Sequence, residues 1–298
     1  MSLENQLQAL NQGRKVPQRV IRYVDKYKSY QGSIPLNVPT ITQDGRRWIS
    51  GIDYLPIRTQ CLQSQTPKQV KKQDTYLNLA DLCITFEDTV KIQTQSPLLT
   101  QIQGIVDTSD GPQVAIPTEA VNSAIKRGTF QYFEPHLREQ ETATYSANNQ
   151  EQTHQVTNVV LFPFINRNYI QLTPEQYQAI KTTRGNEFTI DDTFNRDLAK
   201  DEIIEKGKVI HKGWKSYPSG IVIPLVNEVF KFNQREYSYD KNMGFYLPSN
   251  SKKPELRAAY LVMLYGRSGL SGVGHLGVGG ARLFGVVENV AEGDAQNS

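Results

Sequence analysis

The sequence has little cysteine and no long apolar run. Only two of its 298 residues are cysteine, Cys61 and Cys83, which excludes a disulfide framework and makes a reducing cytoplasm the expected compartment. The longest apolar run, residues 258–265, is much shorter than the roughly 18 residues that cross a bilayer. The first residues lack the basic stretch and apolar block of a secretory signal. We therefore expect a cytoplasmic protein with no membrane segment.

Motifs of several enzyme classes are also absent. The four histidines are scattered, with no cysteines at zinc spacing, and no Gly-x-Ser-x-Gly elbow of a serine hydrolase occurs. Gly272-x-Gly274-x-x-Gly277 has the form of a dinucleotide fingerprint. That fingerprint also requires a following helix, a second strand and a ribose-binding acid, and the sequence supplies no such unit. A nucleotide-dependent dehydrogenase is therefore not expected.

Positive charge is concentrated in the first quarter of the chain. Composition is that of a globular protein, with 38% hydrophobic and 21% charged residues. Residues 1–72 hold 12 Lys and Arg against four acids, a net charge of +8, whereas the whole chain carries only +3. A basic segment on a mildly acidic body is typical of a surface that binds a polyanion. The alternative is a basic surface that is simply solvated.

Bases and aromatics alternate between residues 19 and 30. If this segment is helical, Arg19, Arg22, Tyr23 and Lys26 share one stripe with Tyr27 and Tyr30. Cations that hold phosphates, next to rings that stack on unpaired bases, suit a single-stranded nucleic acid. The alternative is that the tyrosines pack on the body of the protein while the cations stay in solvent.

The remaining pattern predicts a mixture of helices and strands. Residues 31–60 are expected to form short strands, 139–155 a mobile loop, and the stretch from Gly220 onward further strands. Thr173-Pro174-Glu175-Gln176 is a helix start, and the helix is predicted to run to about Gly185. Residues 258–265, apolar on both faces, predict a central strand.

Glycine is dense near the end of the sequence. Eight of the 21 glycines lie between Gly266 and Gly285, a segment that we call the glycine run. Glycine lets backbone N–H groups approach a ligand without obstruction by Cβ. Arg267, His275 and Arg282 add donors for phosphate. The alternative is a flexible hairpin connection.

Two segments together resemble a known family. The first has a strand from Ile84, then Gly104-Ile105-Val106-Asp107, and Ile116-Pro117 before a helix with Lys126 and Arg127 that Gly128 ends. The second is the part of the glycine run from Leu276 to Gly285, followed by a final strand. In order and placement they resemble the RAMP superfamily, the RRM-like proteins that build the backbone of CRISPR ribonucleoprotein effector complexes.

This resemblance implies both a fold and a function. The fold is α+β, with an RRM/ferredoxin-like antiparallel sheet core, a large insertion and a basic N-terminal extension. The extension covers residues 1–80 and packs on a core of 81–298, in which 129–257 is partly an insertion. The function is that of a guide-RNA-binding backbone subunit in antiviral defence, whose partners are guide RNA, a target single-stranded nucleic acid and other effector subunits.

The charge pattern and the resemblance also give candidate site residues. Those predicted to bind RNA are Arg19, Arg22, Tyr23, Lys26, Lys126, Arg127, Arg267, Gly274, His275, Gly277, Gly279, Gly280 and Arg282. In branches of the family that cut target RNA, an Asp after the first strand is the cleavage residue, and Asp107 matches it. The alternative for Asp107 is a loop acid that caps a turn. No cofactor is expected except Mg²⁺ if cleavage occurs.

Two other classes of function remain open. A structural phage or virion protein would also be rich in Gln, Asn and Tyr, β-rich and poor in cysteine, with the basic quarter contacting genome or neighbours. A metal-dependent ribonuclease that acts alone is the other alternative. Self-assembly without nucleic acid would favour the first, and divalent-dependent cleavage of free RNA by the isolated chain the second.

Overall fold

A computed structural model describes residues 27–64, 75–182, 184–248, 251–264, 267–272, 275–277 and 282–287. Over these residues the fold is mixed α+β with one large sheet. Its α-helices are α1 (Ile34–Gln43), α2 (Gly51–Ser64), α3 (Pro97–Thr100), α4 (Thr118–Ala124), α5 (Pro174–Ala179), α6 (Lys200–Ile203) and α7 (Ser219–Tyr237). Its strands are β1 (Lys28–Gln31), β2 (Arg47–Trp48), β3 (Thr75–Glu87), β4 (Thr89–Gln93), β5 (Gly104–Thr108), β6 (Gly111–Pro117), β7 (Leu137–Ala147), β8 (Gln150–Ile165), β9 (Tyr169–Gln171), β10 (Gly185–Thr189), β11 (Leu198–Ala199), β12 (Ile204–Glu205), β13 (Lys208–Val209), β14 (Lys241–Asn242), β15 (Phe245–Tyr246), β16 (Ser251–Leu264), β17 (Arg267–Ser271) and β18 (Arg282–Val286).

Fourteen of the described strands form one sheet. Its main path runs β1-β18-β3-β16-β9-β8-β6-β5-β7. Five further strands lie off this path. β2 pairs with β18, β4 with β3 and β17 with β16, while β10 pairs with β4 and β15 with β17. Most pairings are antiparallel, but β3 and β18 are parallel neighbours. The start of β3, the end of β16, and the starts of β17 and β18 consequently lie at the same end of the sheet.

The first described segment is helical where short strands were predicted. β1 is a strand, but most of residues 31–60 belongs to α1 and α2, so that prediction was wrong. Pro39 and Pro56 lie inside these helices and disguise them in the sequence, because proline normally interrupts a helix. α2 begins where the carboxylate of Asp81, from β3, accepts a hydrogen bond from the Gly51 N–H at 2.8 Å. This cap comes from a residue distant in sequence.

β7 and β8 form a long hairpin where a mobile loop was predicted. Asn148 and Asn149 at its tip have φ of 53° and 61°, the left-handed conformation that a tight hairpin turn requires. The first six residues of each strand are mostly polar and are exposed on both faces, so they lack the alternation that identifies a strand in a sequence. The Thr40 hydroxyl of α1 donates a hydrogen bond to the Ser146 carbonyl of this hairpin.

α7 replaces the first of the strands that were predicted from Gly220 onward, whereas a later one is present as β15. Its buried residues recur at helical spacing, for example Ile221, Val222, Leu225 and Val226. Pro224 in the second turn disfavours a helix, and the β-branched residues favour a strand locally. Packing against α2 decides the conformation, because the apolar stripe of α7 is buried there.

Two local predictions are confirmed. Thr173 caps α5, with its Oγ1 accepting from the Gln176 N–H at 3.2 Å while the Gln176 side chain accepts from the Thr173 N–H at 2.9 Å. α5 is shorter than predicted, because it ends at Ala179. The apolar run within β16, described from residue 258 to 264, is part of a central strand flanked by β3 and β17, as its sequence indicated.

Candidate nucleic-acid interface

The glycine run packs against four different parts of the protein. Each glycine of the run that the structure describes comes so close to a neighbour that a Cβ atom would overlap it or press on it. Gly269 lies against the Gly244 carbonyl, Gly272 against the Cys83 sulfur, Gly277 against the Arg167 carbonyl and Gly285 against the Tyr30 ring. At these positions the close approach that glycine permits is therefore made to the protein's own groups. RNA binding by Gly277 stays a prediction, and Gly274, Gly279 and Gly280 lie outside the described residues.

Two backbone hydrogen bonds hold the run at one corner of the molecule. The Leu276 N–H donates to the Asn168 carbonyl at 2.7 Å, in the turn between β8 and β9. The Leu276 carbonyl accepts from the Ile34 N–H, at the start of α1, also at 2.7 Å. His275, the preceding residue, is exposed. The predicted RNA-binding residues His275 and Gly277 are thus fixed between a turn and a helix N-terminus.

Asp107 lies close to the same turn. It is in β5 rather than in a loop, opposite Pro112 of β6, and its side chain is 71% exposed. A carboxylate oxygen of Asp107 is 4.0 Å from the guanidinium of Arg167, whose side chain is 56% exposed. An exposed ion pair at this distance contributes little to stability, about 0–1 kcal/mol. Both groups are therefore available to solvent and to a ligand.

Arg167 was not predicted from the sequence. It lies at the tip of the β8–β9 turn, where Asn166 and Arg167 have φ of 49° and 55°. Left-handed backbone is uncommon for a residue other than glycine, and such residues concentrate at functional sites. The Asn-Arg-Asn sequence between two apolar stretches is a recognisable turn signal. Only the tertiary structure, however, shows that this arginine faces Asp107 and touches Gly277.

The chemistry of the corner is that of an anion-binding site with one adjacent carboxylate. Arg167 and the imidazole of His275 can donate to phosphate oxygens. Asp110, two residues beyond β5 and also exposed, lies in the turn to β6, where its N–H donates to the Thr108 hydroxyl at 3.3 Å. Among the described residues, no group of three His, Cys, Asp or Glu side chains is placed to hold a metal ion. The charged group that the structure places beside the Asp107 carboxylate is the guanidinium of Arg167.

Arg267 and Arg282 lie at the end of the sheet where β3 begins. Arg267 starts β17, opposite Leu264 of β16. Arg282 starts β18, opposite Leu77 of β3 and Gln31 of β1, and it is exposed. The sheet order places β3 and β16 between them. The fold therefore brings these two predicted RNA-binding residues to one end of the same sheet.

Lys126 and Arg127 belong to another part of the surface. Both are exposed and follow α4, which ends at Ala124, earlier than predicted. The Lys126 N–H donates to the Ala179 carbonyl at the end of α5, at 2.8 Å. Gly128 has a φ of 79°, consistent with a chain reversal here. These two cations are thus held beside α5.

The basic N-terminal stripe is only partly within the described residues. Arg19, Arg22, Tyr23 and Lys26 lie outside them. The helical prediction fails at its other end, because Tyr30 is buried in β1, where its hydroxyl donates to Asp44. Tyr27 is exposed, and its ring centroid is 4.5 Å from that of Phe284 in β18.

Comparison with known proteins gives no assignment. No protein-family model, no curated protein and no solved structure matches the chain. Within the part of the chain that the structure describes, no helix is both long and apolar enough to span a bilayer.

Proposed function

We propose that this protein binds single-stranded RNA and serves as the guide-RNA-binding backbone subunit of a CRISPR effector complex. The observation that carries the proposal is the corner at which the glycine run, Arg167 and Asp107 meet. Two segments that resemble the RAMP superfamily, separated by some 150 residues in sequence, lie against the same turn. The exposed Arg167 and His275 there suit a phosphate backbone.

The proposal includes an RRM-like core. β3, β16, β17 and β18 are consecutive in the sheet, and α2 lies on the face of Phe284, whose ring is 6.3 Å from that of Tyr54. A sheet backed by helices is the arrangement that RRM domains use for single-stranded RNA. In this proposal, residues 1–80 are a basic extension that packs on the core and contributes α2 to the layer behind the sheet, and much of 129–257 is an insertion.

Electrostatics supports RNA as the ligand. Residues 1–72 carry a net charge of +8, and their binding to a polyanion would release counterions from it. On a single strand, each phosphate that is neutralised then lowers the logarithm of the affinity by about 0.7 for every unit of increase in the logarithm of the salt concentration. Holding the phosphate backbone would not require reading a sequence, which is what a subunit that accepts any guide needs. Other effector subunits and a target strand are the further partners that the proposal implies.

The experiment is a salt titration of RNA binding by the full chain. Fluorescence anisotropy with a labelled single-stranded RNA is measured between about 50 and 200 mM salt, the range over which multiple phosphate contacts reduce affinity by orders of magnitude. The double variant Arg167→Ala/Arg282→Ala is expected to bind more weakly and with a shallower salt slope. Lys253→Ala, which removes an exposed cation of β16, is the matched control.

Three outcomes would contradict the proposal. They are absence of RNA binding, an affinity that does not change with salt, and assembly of the chain into particles without nucleic acid, which favours a virion protein. The A260/A280 ratio of the purified protein, and the length of any nucleic acid that co-purifies, give an independent measurement.

A further inference from the structure

A buried ion pair of β16 contacts the strand that follows the β8–β9 turn. Arg257 donates from Nε and Nη2 to one carboxylate oxygen of Glu255, at 3.1 and 2.8 Å. The side chain of Arg257 is only 9% exposed. Its remaining nitrogen, Nη1, is buried and has no hydrogen-bond partner among the described residues. Neither member of the pair was predicted from the sequence as a site residue.

Packing alone does not require an arginine at this position. Replacing a buried ion pair by apolar side chains of similar volume is often neutral or stabilising. A buried donor without an acceptor, such as Nη1 of Arg257, lowers stability. The charge of Arg257 therefore needs an explanation other than stability of the core.

The guanidinium of Arg257 lies against a tyrosine at the base of the turn. It is 4.6 Å from the centroid of the Tyr169 ring. Tyr169 is the first residue of β9 and is paired in register with Ile165 of β8, so these two residues close the turn of residues 166–168. A cation that is removed from solvent attracts the face of an aromatic ring. Arg257 thus holds the residue on which the turn closes.

This turn both presents Arg167 and holds the glycine run. The Asn168 N–H donates to the Ile165 carbonyl at 2.9 Å, while the Asn168 carbonyl accepts from the Leu276 N–H at 2.7 Å. Gly277 lies against the Arg167 carbonyl. A change in the conformation of the turn would therefore displace the exposed guanidinium of Arg167 and the glycine run together.

The glycine run also approaches the ion pair from the other side of β16. Cys83 of β3 is paired in register with Arg257, so the two side chains lie on the same face of the sheet. Gly272 lies against the Cys83 sulfur. Arg257 consequently lies between two contacts of the glycine run, one made to Cys83 and the other made to the turn.

We propose that Arg257 is a positioning residue for the RNA-binding corner. Glu255 orients its guanidinium, the guanidinium fixes the ring of Tyr169, and Tyr169 sets the conformation of the turn. We call Glu255, Arg257 and Tyr169 the brace. The brace keeps Arg167 in the geometry that binds a phosphate, as supporting side chains do in a preorganised site. The inference rests on the proposed function and adds the residues that shape its site.

Amide hydrogen exchange of the full chain without RNA tests the brace directly. Tyr169→Leu removes the ring, and the double variant Glu255→Gln/Arg257→Met removes both charges without leaving one of them buried alone. In both variants, exchange at the amides of Asn168 and Leu276 should be about 2- to 30-fold faster, the range that corresponds to the loss of one cation–π contact. Tyr169→Phe keeps the ring and should exchange like the wild type.

The controls separate a local effect from a loss of overall stability. The Gln176 amide, in the cap of α5, and thermal melting report on the rest of the fold and should change little. Phe232→Leu is the matched variant, because the Phe232 ring of α7 also carries a cation, Arg235, at 5.6 Å. It should leave exchange at Asn168 and Leu276 unchanged.

RNA binding is then measured by anisotropy at several salt concentrations. Arg167→Ala should make the salt slope shallower by about 0.7, the value for one phosphate contact on a single strand. Tyr169→Leu should have a similar effect, whereas Tyr169→Phe should have none. Adding Arg167→Ala to Tyr169→Leu should change nothing further, because two residues that act through one contact are not additive.

Four results would overturn the brace or limit it. Unchanged exchange at Asn168 and Leu276 in both brace variants means that the brace does not hold the turn. Equally faster exchange at Gln176 means that these residues serve overall stability only. Faster local exchange with an unchanged salt slope removes the brace from RNA binding and leaves the proposed function standing. If the wild type binds no RNA, the proposed function is wrong, and exchange alone decides whether the brace holds the turn.

Discussion

The Tyr217 hydroxyl donates a hydrogen bond to the Asp81 carboxylate at 2.8 Å, although the two residues are 136 positions apart. The same buried carboxylate accepts from the Gly51 N–H at 2.8 Å and from the Gln95 N–H at 3.1 Å. It therefore ties β3 to the start of α2, to the turn after β4 and to the segment before α7. Burial raises the pKa of Asp81 to about 6, although these three hydrogen bonds lower it.

The first prediction is that Asp81 makes the protein less stable as the pH rises. Its carboxyl ionises near pH 3.8 when unfolded but only near pH 6 when folded. The stability that the neutral group supplies is thus complete below pH 3.8 and is lost as the pH rises through 6. Between pH 3.8 and neutral pH, the unfolding free energy of the wild type should fall by roughly 2–3 kcal/mol more than that of Asp81→Asn. Urea denaturation at several pH values measures this difference, and a difference that is constant with pH would contradict the prediction.

The second prediction concerns His211 and has the opposite sign. Burial lowers the pKa of His211 from 6.5 to about 4, in a cluster where its ring lies 4.8 Å from that of Phe194 and 5.8 Å from that of Phe245. The unfolded chain therefore takes up a proton first, and the stability present above pH 6.5 is lost as the pH falls towards 4. Between pH 6.5 and about 4, this effect lowers the unfolding free energy of the wild type by roughly 3 kcal/mol, and His211→Phe should not show this decrease.

The same denaturation series tests His211→Phe. This variant leaves the Trp214 N–H, which donates to the His211 Nδ1 at 3.4 Å, without that acceptor, so it should be about 1 kcal/mol less stable at neutral pH. Because Asp81 and His211 act in opposite directions over an overlapping range, their contributions nearly cancel in the wild type, and each single variant should have a steeper pH profile than the wild type or the double variant. An unchanged acid-side loss in His211→Phe would show that other groups cause it.

The third prediction is that Gly277 is required for packing. A Cβ on this residue would overlap the Arg167 carbonyl, and backbone atoms on both sides would have to move. Gly277→Ala should therefore lower the unfolding free energy by about 1–3 kcal/mol and speed amide exchange at Ile34 and Leu276. Gly128→Ala is the control, because a Cβ there meets nothing within 4 Å and only its φ of 79° is strained. Equal effects of the two substitutions would mean that the close contact is unimportant.

The fourth prediction is that Asp107 is needed to cut a target RNA bound opposite the guide. A carboxylate can recruit Mg²⁺ or accept the proton of an attacking hydroxyl, and Asp107 is exposed beside Arg167. The complex is assembled with guide and labelled complementary RNA in Mg²⁺, and cleavage is compared for wild type, Asp107→Ala and Asp107→Asn. Both variants should lose cleavage but retain target binding, because removing a negative charge beside Arg167 does not weaken its contact with phosphate.

Two results would count against a catalytic Asp107. If wild type and variants cleave at the same rate, another group performs the reaction. If the wild type does not cleave, the chain is a scaffold and Asp107 is only the ion-pair partner of Arg167. Asp110→Ala, which removes the other exposed acid of this hairpin, controls for the loss of a nearby negative charge.

Features that depend on near neighbours in the chain could be predicted from the sequence. The Thr173 cap of α5 needs only residues three positions apart, and the buried position of β16 follows from a run that is apolar on both faces. In each case the physical cause lies within one short segment, so reading that segment was sufficient.

Features that depend on distant neighbours were decided by the tertiary structure. α7 is a helix although its residues favour strands locally, because its apolar stripe is buried against α2, and α2 itself begins on the carboxylate of Asp81. The glycine run contacts Arg167 rather than open solvent at Gly277. The sequence alone determined which residues carry charge, turns and caps. Only folding decided which of them meet, because burial and backbone approach join residues that are more than a hundred positions apart.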